Sequence, residues 1–107
     1  MADERKIDDP NKVARQILKH DFTFDREELK RASYALREAG TKDDSDGIAY
    51  WRSVFGAVID LWGNRECDME EQHAIQTIAA YAEGDMPMND QEIEELDKEL
   101  EAYYAKK

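Results

Sequence analysis

Cysteine, proline and glycine are all scarce in this chain, and each shortage excludes something. A single cysteine, Cys67, leaves no intramolecular disulfide framework and suits a reducing compartment. Two prolines and five glycines leave no phosphate-cradling glycine loop and no low-complexity linker. No stretch approaches the roughly 18 consecutive apolar residues of a membrane span. The start, Met1-Ala2-Asp3-Glu4-Arg5-Lys6, has no apolar h-region, so no signal peptide is read and a cytoplasmic location is the expectation. Basic residues are scarce too, but only in one part of the chain. From Asp43 to Lys107 seventeen acidic residues stand against five basic ones, whereas residues 1–42 carry nine acidic and ten basic, a net +1.

What the chain has in abundance is charge: 38% of its residues and a total of −11, where about 25% charged is ordinary. Such a content often marks disorder, but the apolar residues, 41% of the chain, recur at helical spacing, so folding is expected. The length fits one α-helical domain over residues 1–107, with residues 1–8 expected to be flexible. The anionic field repels nucleic acid and anionic lipid and attracts basic proteins or cations.

Five helices are predicted, each from its start and stop chemistry. Asp9-Pro10 supplies an N-cap and a proline at the first helical position, with Val13, Ile17 and Leu18 forming a stripe that ends near His20. Asp25 and Glu28 form a capping-box pair, Phe24 and Leu29 a hydrophobic staple, and Gly40 reads as the stop. The third helix, about 46–62, opens in the Asp44-Ser45-Asp46-Gly47 turn and runs to Gly63. Ile48, Trp51, Phe55, Val58, Ile59 and Trp62 lie on one face, and Tyr50, Val54, Ala57 and Leu61 make the rest apolar, so this helix is expected at the centre. Asp68 with Glu71 starts a fourth helix that ends at Gly84. After Met86-Pro87-Met88, Asn89 caps a fifth, with Met88 placed to staple onto Ile93. Lys106 and Lys107 complement its dipole. The fold class is therefore all-α, a compact bundle of four or five helices around the 46–62 helix, the first of them open to being loosely held.

The chemistry-bearing patterns are weak. Residues 42–48 resemble a calcium-binding EF-hand loop, but with Gly47 at loop position 6, Lys42 falls at position 1 and Ser53 at position 12, where acids belong. A capping turn is the better reading. Glu70 and His73 have the i, i+3 spacing of carboxylate-bundle metal sites, but only one such pair occurs. A metal-binding protein completed across an oligomer interface is the alternative it leaves open. Cys67 lies six residues from His73 with no third orienting group, and reads as an incidental thiol. No catalytic residue and no cofactor is expected, so the chain reads as a non-enzyme.

The acidic fifth helix carries the main functional expectation. Glu92, Glu95 and Glu99 form one row, and Glu94, Asp97 and Glu101 another, at steps of three and four. Neighbours within a row stand roughly 4.5–6 Å apart along the axis, a spacing similar to that of phosphates on a nucleic-acid strand. Like charges at this spacing cost helix stability, and only Lys98 is interleaved. The expectation is a non-enzymatic acidic interaction module, a small inhibitor or accessory factor of the type carried by phages and mobile elements. It would act as a nucleic-acid mimic by docking Glu92, Glu94, Glu95, Asp97, Glu99 and Glu101 onto a basic protein, with Tyr103 or Tyr104 as an apolar anchor. The partner's own business would be nucleic acid; this chain would bind neither nucleic acid nor membrane directly. The cations of the first two helices suggest head-to-tail contact in a homo-oligomer. A structural subunit of a larger assembly is a third reading.

Overall fold

The polar residues read as helix starts all open helices in the structure, a computed structural model that describes residues 9–63, 65–84 and 89–106. The elements are α1 (Pro10–Ile17), α2 (Arg26–Thr41), α3 (Ser45–Trp62), α4 (Met69–Glu83) and α5 (Asp90–Ala105). At each start a side-chain oxygen accepts from an amide that has no partner within the helix. Asp9 takes Asn11 N at 3.0 Å, Asp25 takes Glu28 N at 3.1 Å and Asp44 takes Gly47 N at 3.1 Å. Asp68 takes Glu71 N at 3.4 Å and Asn89 takes Glu92 N at 2.9 Å. The Asp44–Gly47 bond is the capping turn inferred in place of a calcium loop. No strand occurs among the described residues, and the architecture is an all-α bundle.

The central helix is α3, which packs against α1, α2 and α4. Trp51, Val54, Phe55, Val58 and Trp62 are all buried. Trp62 stacks flat on Phe24 with ring centroids 5.6 Å apart, and Phe55 meets Tyr81 edge-on at 5.4 Å. Phe24 and Leu29 are both buried at the positions of the predicted staple. α5 lies across α2 and α4 and adds Leu96 and Leu100 to one continuous core.

Three local expectations need correcting. α1 stops at Ile17, before the predicted end at His20. Leu18 turns extended and pairs with Phe24, with Asp25 N donating to Ile17 O at 2.7 Å and Lys19 N to Thr23 O at 3.0 Å. Phe22, at the tip, takes a left-handed φ of 64°, unusual for a bulky residue. Nor is α1 loose: Val13, Ala14 and Ile17 are fully buried.

Gly40 does not stop α2. The helix runs through it to Thr41, and the left-handed residue that ends it is Asp43, at φ 56°. Asp44 N donates to Ala39 O at 2.8 Å and Asp43 N to Gly40 O at 3.2 Å, the two bonds of a Schellman ending. Aspartate tolerates this conformation because a short polar side chain offsets part of its cost. At Gly84 the expected stop is present, with φ 76°. There Arg52, reaching from α3, donates to the terminal carbonyls of Ala82 at 3.1 Å and Glu83 at 2.8 Å. The Met86-Pro87-Met88 connector with its staple onto Ile93, the flexibility expected of residues 1–8, and Lys107 lie outside the described residues.

Candidate interaction surface on the fifth helix

α5 presents its carboxylates on two opposite sides, and the structure uses them differently. Asp90, Glu94, Asp97 and Glu101 recur at steps of four, three and four, so they share one edge of the helix. That edge faces α2, where Arg26, Lys30, Tyr34 and Arg37 follow matching steps. Arg26 grips Asp97 with two parallel bonds, Nε to Oδ1 at 3.0 Å and Nη2 to Oδ2 at 3.1 Å, and reaches Glu101 at 3.7 Å. Lys30 lies 3.4 Å from both Glu94 and Asp97. The Tyr34 hydroxyl donates to Glu94 at 2.6 Å, and Arg37 Nε sits 3.1 Å from Asp90. The basic half of the chain therefore meets the acidic half within one molecule, across 53 to 75 residues of sequence.

The electrostatics follow from this seam. At Asp97, whose side chain is 12% exposed, partial burial works to raise the carboxyl. Its hydrogen bonds to Arg26 and the charges of Arg26 and Lys30 outweigh burial and hold it below the usual carboxylate range. Glu94 is lowered too, first by the Tyr34 hydrogen bond and then by Lys30. The same bond, with desolvation, pushes the Tyr34 hydroxyl up to about 12.

Half a turn round the helix, Glu92, Glu95 and Glu99 face away from α2. Gln91 donates to Glu95 at 3.2 Å, and His73 Nδ1 on α4 meets Glu99 at 2.7 Å, both partners half exposed. No lysine or arginine pairs with these three among the described residues. Of the six carboxylates expected to meet a partner, one row thus serves the fold and the other remains outward.

The two tyrosines expected as an anchor are internal struts. Tyr103 is buried, 4% exposed, and its hydroxyl lies 2.9 Å from Asp68 and 2.8 Å from Glu71, the carboxylates at the start of α4. Burial and these two acceptors push its pKa far up. Tyr104 turns the other way, its hydroxyl accepting from Phe24 N at 2.7 Å. Tyr103 offers no free apolar surface and Tyr104 is half-buried, because the end of α5 packs where α4 begins and where the α1–α2 turn reverses. No signal in the sequence separates a strut tyrosine from an interface tyrosine.

Glu70 and His73 do not pair; His73 is directed to Glu99, a partner on another helix that spacing alone does not reveal. Among the described residues no group of three or more histidine, cysteine or acidic side chains is placed to hold a metal ion. Cys67 is half-buried against the core. No helix of the described residues is long and apolar enough to cross a membrane. Comparison with known protein families, with characterised proteins and with solved structures finds no match to this chain.

Proposed function

We propose that this chain is a non-enzymatic protein-interaction module, a small inhibitor or accessory factor, that docks the outer row Glu92, Glu95 and Glu99 onto a basic protein surface. The observation that carries this reading is the division of labour on α5. The row facing α2 meets Arg26, Lys30 and Arg37, whereas among the described residues the outer row pairs with a glutamine and a histidine and with no lysine or arginine. Like charges repeated along an exposed row cost helix stability, and mixing in lysines would remove that cost without disturbing any buried residue. A basic partner converts the same repulsion into attraction, most of it expressed in the association rate.

Charge reversal of the outer row, Glu92→Lys, Glu95→Lys and Glu99→Lys together, tests this. The tagged protein, incubated with source-cell lysate at about 50 mM salt, is expected to retain a basic protein and to lose it at about 500 mM. The triple variant is expected to retain none while keeping the parent's circular dichroism. Retention of the same partner by the folded triple variant would show that the outer row is only a solvated face.

A further inference from the structure

Where the C-terminal ends of α2 and α4 meet the first two turns of α3, the surface opens into a cleft of about 380 Å³. Its walls are mixed, apolar at Leu36, Ile48 and Tyr81 and polar at Arg37, Thr41 and Arg52. No carboxylate is among the described residues that line it, in a protein of net charge −11. Each guanidinium keeps donors in reserve. Among the described residues, Asp90 sits 3.1 Å from Nε of Arg37, and the carbonyls of Ala82 and Glu83 take Nε and Nη2 of Arg52, so donors remain on the far side of each guanidinium.

Two further features lie at this cleft. Gly40 lines the cleft from inside α2, neither ending the helix nor making room for a neighbour, since nothing lies within 4 Å of where its Cβ would stand. A glycine within a helix lowers stability relative to alanine, and what it supplies here is open space over the cleft. Tyr81, only 1% exposed, has a hydroxyl with no hydrogen-bond partner among the described residues, a costly state for a buried polar group.

We propose that this cleft binds a small organic anion, an aromatic or branched carboxylate or phosphate ester. Its acidic head lies against the spare donors of Arg37 and Arg52, and its apolar body against Leu36, Ile48 and the Tyr81 ring. The volume falls in the range of small-molecule sites, and paired guanidiniums recognise planar or tetrahedral oxyanions. This site is separate from the outer row of α5, so its test does not depend on a protein partner.

The test is a titration of the labelled full chain, followed by amide ¹H–¹⁵N shifts, with benzoate, phenyl phosphate, inorganic phosphate and benzylamine. Saturable shifts at Gly40, Thr41, Arg52 and Gly84 are expected with benzoate or phenyl phosphate and none with benzylamine. Gly40→Leu is expected to abolish them while holding or raising the melting temperature, and Arg37→Ala to weaken binding about tenfold. The proposal is overturned by the absence of saturation with both aromatic anions, or by an equal response to benzylamine. It is likewise overturned by saturation with inorganic phosphate alone, or by affinity that both folded variants leave unchanged.

Discussion

α3 and α5 are of similar length, yet they are held by different forces. α3 places Trp51, Val54, Phe55, Val58 and Trp62 in the core, each at 3% exposure or less. α5 buries Ile93, Leu96, Leu100 and Tyr103 as well, but is fastened in addition by ionic contacts along α2 and by two tyrosine hydroxyls near its end. Apolar burial is indifferent to pH and salt, whereas the α2–α5 seam depends on the ionisation of Asp97, Glu94 and Tyr34. The lesson is one of sensitivity: solution conditions that spare α3 reach α5 first.

The largest expected effect lies in the apolar region. Phe55→Ala removes a fully buried ring and is expected to cost about 3–5 kcal/mol in urea unfolding. Amide exchange is expected to accelerate in all five helices together. Acceleration confined to α3 would mean that the helices do not share one cooperative core.

Next comes the seam. Asp97→Ala leaves the forked guanidinium of Arg26 without its carboxylate and is expected to cost about 1–3 kcal/mol. Arg26 is 34% exposed, and solvent screening favours the lower end of that range. Exchange is expected to quicken in α5 ahead of α3, and a double-mutant cycle with Arg26→Ala isolates the pair. Equal quickening in both helices would erase the distinction drawn above.

The pH dependence sharpens it. Asp97 and Glu94 titrate below their ordinary range when folded, so their contribution is complete above about pH 4–5 and is lost as the pH falls. Tyr34 behaves in the opposite sense: its folded value is raised from 10.0 to about 12. Its contribution is complete below the unfolded value and is lost as the pH rises through the folded one. Thermal unfolding in acid and in base is expected to show α5 loosening at both edges, with Tyr34→Phe weakening the alkaline edge, where Tyr103 still contributes, and, by removing the bond to Glu94, part of the acid edge.

The smallest expected effect is a gain. Asp43→Gly relieves a left-handed aspartate and is expected to stabilise the protein by a few tenths to about 1 kcal/mol in the same urea assay. A loss of that size would mean that the aspartate's own side chain supports the turn.

The helix starts were legible in the sequence because capping is a local transaction. Asp25 and Glu28, or Asn89 and Glu92, find each other three residues apart whatever the rest of the chain does. The apolar excess around 48–62 was legible for a similar reason, since a helix apolar nearly all round belongs at the centre of a bundle. What stayed hidden depends on neighbours distant in sequence. Nothing near Glu94 announces Tyr34, and nothing near Tyr103 announces Asp68. The two carboxylate rows were visible as rows, but not which of them would be spent on α2. Gly40 misled because glycine is the usual helix terminator, and here Asp43 performs that task.

The long sequence span of the seam has a consequence for the order of events during synthesis. α2 and α3 are joined at a corner where Asp44 N donates to Ala39 O and the Asp44 carboxylate accepts from Gly47 N. Such short-range contacts form early and quickly. Arg26 must wait for Asp97, which the ribosome adds 71 residues later. At about 5–20 residues per second that interval lasts several seconds. Through it, the nascent chain exposes a row of unneutralised cations on α2, along with the apolar hollow that Leu96 and Leu100 later fill.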